Sequence, residues 1–551
     1  MVRTHLLAPL VLLAGLACGR SPEHTCQSEV ECAIGWSCIQ GMCRLSPPND
    51  AGPVTDGPSE AGGSPETGDD NGTGTCSAPC TYQVCIAGMA NCDTTTPDCE
   101  SRIADAPACF PTYLGTTVVS SGAFWVNAVT IGADDSVYLA GGFMGRADFD
   151  PGPGSDERTP VGVPDGFVTK MSPDGSRAWT VTFGATVWLT SLSVSATSLT
   201  VAGTYSGTAD FDPGPGVAEH TTGAGGFILN LTLDGAFNWV STLDSDSGCT
   251  PHRLAQDANG DFYVAGYFSE TCDFDPGPGV KAPPPLATAQ PYVMKMDRQG
   301  ALLWVHFYGG DGCSGALSGV ALTRDGNPWV IGQTVGSCYL DGDFARPVPG
   351  DGALFAAFDP SGSPRFTSTL GHGTSTVGQA VAAGADGSVY LAGLILEAVD
   401  FDPGPGVVMG SPTAAFRPSP RSDISSTGFV LNLTSAGAFR SVYTMGGIEI
   451  DGLTTTPDGG VVVMGTPFTV ETAAGGLFLT RLHADLTPGS SLYTCGPYCG
   501  GIALAKGRST FLMAGMNGGD TVDVDPGPAV DLLPSGLAPA NGVTFLSRYA
   551  F

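Results

Sequence analysis

Basic residues are scarce in this chain: 22 Lys and Arg stand against 53 Asp and Glu, a net charge of -31 over 551 residues. So acidic a surface repels a phosphate backbone, which argues against nucleic acid as a partner. Histidine is scarce too. The seven (His5, His24, His220, His252, His306, His372 and His483) form no His-x-x-x-His or His-Glu-x-x-His pair on which a zinc hydrolase depends. Nor is there a Gly-x-Ser-x-Gly nucleophile elbow, or a Gly-Lys-Ser or Gly-Lys-Thr phosphate cradle. An enzyme can assemble its site from residues distant in sequence, so the one asymmetric catalytic candidate is His372, in a Gly-His-Gly run. The apolar run at residues 6–17 is too short to span a bilayer.

Glycine and proline, by contrast, are abundant, at 80 and 43 residues. Without a period that composition would read as disorder, but here both fall at fixed offsets between runs of Val, Tyr, Phe, Leu and Thr, as turns fall between strands. The clearest marker is Asp148-Phe149-Asp150-Pro151-Gly152-Pro153-Gly154, repeated letter for letter from Asp210, Asp273 and Asp400 and altered from Asp523. Dividing the 375 residues between Asp148 and Asp523 by six gives a period of 62.5. Such a period indicates a stacked or circular array.

Within the best-preserved copy, residues 125–131, 136–141, 166–171 and 177–183 read as four strands, with Ser172-Pro173-Asp174-Gly175 as a tight hairpin. The same order recurs with Phe227, Asp234-Gly235 and Trp239, then with Tyr292, Gly300 and Trp304. Degenerate copies at Asp325-Gly326 and Asp458-Gly459 bring the number to seven. Seven four-stranded antiparallel units predict an all-β fold, a seven-bladed β-propeller over residues 110–551. The last unit lacks a fourth strand, and the orphan run at residues 112–119 is predicted to supply it and lock the ring.

The pattern Asp-Gly-x-Val-Tyr-Leu-Ala-Gly, Asp-Phe-Asp-Pro-Gly-Pro-Gly, Gly-Phe-Val-x-Lys-Met, Asp-Gly-x-x-x-Trp resembles the SBBP repeat, a bacterial seven-bladed propeller repeat. The resemblance covers residues 110–551 and implies an exported repeat protein; copies four and six depart from the motif. At the other end, Arg3 and the apolar run have the layout of a secretory signal over residues 1–17. Gly15-Leu16-Ala17-Cys18 resembles the bacterial lipoprotein cleavage box, which implies cleavage before Cys18 and lipidation of its thiol. Ordinary signal cleavage is the alternative.

Residues 18–43 hold Cys26, Cys32, Cys38 and Cys43, too short a segment for an apolar core, so disulfides are expected to hold it together. A Pro, Gly, Ser and Asp linker follows at 44–75, expected to be flexible, and then a second cysteine-rich segment at 76–109. These segments make a disulfide-rich stalk below the propeller. In the ring, the nearly equal spacing of Cys249 with Cys272 and of Cys313 with Cys338 predicts one cross-link used twice, leaving Cys495 to pair with Cys499.

Loops joining blades and loops between second and third strands share one rim of a propeller. Five pairs of carboxylates are expected there: Asp148 with Asp150, Asp210 with Asp212, Asp273 with Asp275, Asp400 with Asp402, and Asp523 with Asp525. Each pair suits a calcium ion, the one cofactor the sequence suggests. The competing reading is a turn whose Asp caps free backbone amides. In the fifth copy a longer loop carries Phe416, Arg417 and Arg421, a cationic and aromatic cluster suited to an anionic or sugar ligand. The expected function is a lipid-anchored cell-surface module binding an extracellular protein or glycan; the alternatives are a calcium-supported enzyme acting on polysaccharide or peptide, and a structural module.

Overall fold

The computed structural model describes residues 36–39, 42–45, 89–90, 101–102, 113–121, 124–150, 152, 154–283, 286–310, 312–371, 375–411, 426–467, 477–494, 499–507, 510–517, 522–523, 532–533 and 543–550. The chain divides into two units, Met1–Gly72 and Thr73–Phe551. In the first, Trp36–Ile39 pairs with Met42–Leu45 as a short antiparallel hairpin that sets Cys38 opposite Cys43.

The second unit holds seven antiparallel sheets in sequence order, each built on four strands. Blade 1 runs Phe124–Ile131, Val137–Phe143, Asp165–Met171 and Arg177–Phe183 from the inside outward. The innermost strands of blades 2 to 7 are Thr186–Val194, Cys249–Gln256, Ser314–Leu322, Thr376–Ala383, Ile448–Thr455 and Cys499–Lys506. Each packs against the innermost strand of the next blade, and the seventh returns to the first, so the seven surround a central axis.

Burial follows this layering. Val137–Phe143 is buried at every position, because its sheet is covered on both faces by neighbouring blades. Arg177–Phe183, at the outer edge, is mostly half-buried, with Thr180 and Phe183 its buried positions and Ala178 exposed. One apolar cluster joins Phe124, Val126 and Leu139 of blade 1 to Leu512, Ala514 and Leu546 of blade 7, so the core is continuous across the point of closure.

Closure is as predicted. Tyr113–Ser121 is the fourth strand of blade 7, paired antiparallel with Val543–Ala550 from Val543 opposite Ser121 to Tyr549 opposite Tyr113. Blade 3 acquires a fifth strand that the sequence did not suggest: Tyr339–Leu340, from the loop of blade 4, pairs with the end of Leu302–Gly309.

Two contacts explain the repeat's signature letters. The outer-strand aromatic of one blade lies on the hairpin glycine of the next: Trp179 on Gly235, Trp239 on Gly300, Trp304 on Gly362 and Phe366 on Gly437. Those glycines have φ of 82°, 87°, 93° and 85°, so the turn and the ring above it both disfavour a side chain. The Trp179 and Trp304 indole N–H groups then donate to Leu233 O and Pro360 O of the neighbouring blade, at 3.1 and 3.2 Å.

Each innermost strand also carries a β-bulge, with one residue skipped in the register: Asn127, Thr190, His252, Ser318, Gln379, Asp451 and Ile502. Opposite the residue before each bulge stands a second-strand glycine: Gly141, Gly203, Gly266, Gly332, Gly393, Gly465 or Gly515. A Cβ on Gly266 would come 2.0 Å from Thr250 O, a backbone atom that cannot turn aside. Gly266→Ala is therefore expected to destabilise the ring by about 3 kcal/mol, read as a shift of the denaturant midpoint.

Candidate functional site

On the loop rim, the Asp-Phe-Asp motif is a plug sealed by its own carboxylates. The central Phe149, Phe211, Phe274 and Phe401 are buried in their blades. Phe149 meets Phe143 edge to face at 5.4 Å, and Phe274 meets Phe268 at 5.5 Å. Asp148 Oδ1 accepts the amides of Asp150 and Asp156 at 3.0 and 2.8 Å, which hold its carboxyl below the usual range. Asp210 accepts from Asp212 and Ala218, Asp273 from Asp275 and Lys281, and Asp400 from Asp402 and Val408, at 2.8 to 3.1 Å.

The second carboxylates behave alike. Asp150, Asp212, Asp275 and Asp402 accept the amides of Gly152, Gly214, Gly277 and Gly404 at 2.7 to 2.9 Å. Their other oxygen fills the place where a Cβ on Gly154, Gly216, Gly279 or Gly406 would come within 2.0 to 2.3 Å. Strand pairing stops at Asp148 in blade 1 and at Asp400 in blade 5, where the Pro-Gly turn begins. The two carboxylates of a pair are thus not neighbours on one strand face, as the sequence had suggested. Among the described residues, no three His, Cys, Asp or Glu side chains gather as a metal would require. The capping reading accounts for the motif in all four described copies.

Both predicted cross-links are present. Cys249–Cys272 and Cys313–Cys338 have Cα separations of 5.7 and 5.0 Å, and each closes a loop at the start of its blade. By chain entropy each contributes about 3 kcal/mol. In blade 3 the loop from blade 2 touches the motif directly, Asp273 N donating to Asp244 O at 2.9 Å.

Several sequence candidates lie outside the described residues: the signal segment with Cys18, His372, Phe416, Arg417, Arg421, Cys495 and Asp525. The strand Val522–Asp523 and the residue Cys499 are described in backbone only.

What the sequence reading missed is the inner ring. The bulge residue of one blade bonds the carbonyl just before the bulge of the next: Asn127 Nδ2 to Leu189 O at 2.8 Å, Thr190 Oγ1 to Pro251 O at 2.5 Å, His252 Nδ1 to Leu317 O at 3.2 Å, and Ser318 Oγ to Gly378 O at 2.7 Å. Gln379 continues the circle by donating Nε2 to the Glu449 carboxylate at 3.1 Å. At the sixth position Asp451 accepts from Thr466 Oγ1 at 2.6 Å; burial pushes its carboxyl up to about 6, with Glu449 adding to the rise. Burial pushes His252 down to about 4, assisted by the neighbouring Arg253 charge.

Two residues before each bulge stand Trp125, Trp188, Thr250, Ala316, Val377, Glu449 and Gly500. Here the repeat breaks its symmetry. Trp125 lies over Gly142 and meets Trp188 at 5.1 Å between centroids and 38° between planes, and Trp188 remains 41% exposed. The innermost strands therefore carry an aromatic pair on blades 1 and 2 and an amide–carboxylate pair, Gln379 with Glu449, on blades 5 and 6. The polar–apolar alternation of Trp125, Asn127, Trp188 and Thr190 was the available signal; only comparison at the bulge position reveals it.

No family model matches this sequence, and no curated protein resembles it closely enough to count as a relative. Solved structures similar in fold include a catalytically inactive virginiamycin B lyase from Staphylococcus aureus, at 8% identity over 79% of this chain and 100% of that one, with TM-score 0.39. The Dos1 propeller matches at 10% identity over 80% and 95% of the two chains, with TM-score 0.36. The β-propeller domain of the Trilobed protease from Pyrococcus furiosus matches at 8% identity over 72% and 90%, with TM-score 0.36. The chain's own sheets, closed in a ring, make it a seven-bladed β-propeller.

Proposed function

We propose that this chain is an exported, lipid-anchored cell-surface propeller that binds an extracellular protein or glycan. The observation that carries the reading is the pair of disulfides at matching places in blades 3 and 4, a device that persists in oxidising compartments. The resemblance of residues 110–551 to SBBP repeats and of residues 15–18 to a lipoprotein cleavage box point the same way. The acidic surface favours neutral or cationic partners. Described carboxylates on the rim are engaged in turns, so a binding module is favoured over the calcium-supported enzyme.

Expression of the full chain in a diderm bacterium tests both halves. Mass spectrometry is expected to find an acylated Cys18 at the mature N-terminus, and Cys18→Ser to release the protein from the membrane. An unmodified N-terminus beyond Cys18 refutes anchoring. The purified chain is expected to capture a glycan or protein equally with and without chelator. The decisive contrary result is turnover of polysaccharide or peptide that is lost on calcium removal or in His372→Ala.

A further inference from the structure

We infer that the Trp188 face, backed by Trp125 on the innermost strands, is a stacking platform for a neutral oligosaccharide at the axial channel. This rests on the binding-module reading above and adds to it the site and the ligand class.

The first support is position. Trp125 and Trp188 occupy the same place in successive blades, two residues before the bulge, where blades 3, 4 and 5 carry Thr250, Ala316 and Val377. A residue needed only to hold blades together should recur around the ring, as the bulge glycines do. These two indoles do not recur. The second is exposure: Trp125 is packed against Gly142 and meets Trp188 at 5.1 Å, while Trp188 keeps 41% of its surface in solvent on an innermost strand. A large rigid ring, supported behind and wet in front, costs little conformational entropy to use as a contact surface.

The ligand class follows from what surrounds the axis at that level. Thr250 supplies a hydroxyl on the next blade, and Gln379 and Glu449 supply an amide and a carboxylate on blades 5 and 6. A pyranose offers an apolar C–H face to stack on an indole and hydroxyls that both donate to a carboxylate and bond an amide. The net charge of -31 disfavours phosphorylated, sulfated or uronic ligands. Bridging from Trp188 to the opposite blades calls for an oligosaccharide instead of a single sugar.

The test is titration of the full chain with a panel of neutral oligosaccharides, followed by intrinsic tryptophan fluorescence and calorimetry. Saturable binding with a fluorescence change is expected. Trp188→Ala should weaken it about tenfold or more at unchanged melting temperature, Trp188→Phe should weaken it less, and Glu449→Gln should also weaken it. Binding unchanged in Trp188→Ala overturns the platform and leaves the glycan-binding function standing, with its site elsewhere. No saturable binding of any neutral oligosaccharide overturns the inference, and capture of a protein by the same preparation would keep the broader reading. Selective binding of a quaternary ammonium compound in place of sugars, lost in Trp188→Ala, overturns the ligand class.

Discussion

A chain lacking residues 113–121 is expected to lose its folded ring. Those residues are the outer strand of blade 7, and their removal leaves Val543–Ala550 as an open edge. Phe545, Leu546 and Tyr549 are buried on that strand. Partial uncovering of three such side chains costs several kcal/mol, at about 1.5–3 kcal/mol for full exposure of each large apolar group. A domain holds only about 5–15 kcal/mol in reserve. The free edge also invites association between copies. Circular dichroism melting and size-exclusion chromatography should show a lowered or absent transition and soluble aggregates. A synthetic peptide of residues 110–122 added in trans is expected to restore the transition by completing the sheet. An unchanged melting temperature in the truncated chain would mean that this pairing does not hold the ring.

The second large effect concerns two groups of the inner ring that titrate against each other. Asp451 rises from 3.8 in the unfolded chain to about 6. A raised acid holds its proton in the folded state, so its contribution is complete below pH 3.8 and is lost as pH climbs through 6, about 2–3 kcal/mol in all. His252 falls from 6.5 to about 4. A depressed base stays neutral in the folded state, so its contribution is complete above pH 6.5 and is lost as pH drops through 4, again about 2–3 kcal/mol. Between pH 4 and 6 the two slopes oppose. Asp451→Asn should stabilise the protein at pH 7 and uncover a loss of stability on acidification from 6.5 to 4. His252→Asn, which keeps a donor for Leu317 O, should uncover the reverse slope. Chemical denaturation at half-unit pH steps reads both; parallel curves for all three proteins would show that neither group is linked to folding.

The ring was legible because its punctuation is local. The Asp174-Gly175 hairpin, the strand Arg177–Phe183 and the orphan strand before blade 1 each follow from short-range chemistry, and the structure places them where expected. Cys249 and Cys313 were legible for another reason: nearly equal spacings at matching places in successive blades point to one cross-link used twice. The acidic motif was half legible. Its position follows from the repeat, but whether Asp148 holds an ion or an amide depends on where the strand ends, and it ends at Asp148 itself, two residues before Asp150, so the carboxylates do not share a strand face. The bulge row was not legible at all. Asn127, Thr190, His252, Ser318, Gln379 and Asp451 share no chemistry by which a sequence would align them; the first four share a partner carbonyl in the next blade, Gln379 reaches the Glu449 carboxylate there, and Asp451 turns to Thr466 of its own blade.

The direction of that chain of clasps has a mechanical consequence. Every link is forged forward, from one blade to its successor, and the series starts well at Asn127 but ends on an ionisable Asp451 and an Ile502 that has no proton to give. The molecule is thus a bracelet whose weakest hinge lies beside its buckle, and blades 6 and 7 are where breathing, wear and proteolytic nicking would begin.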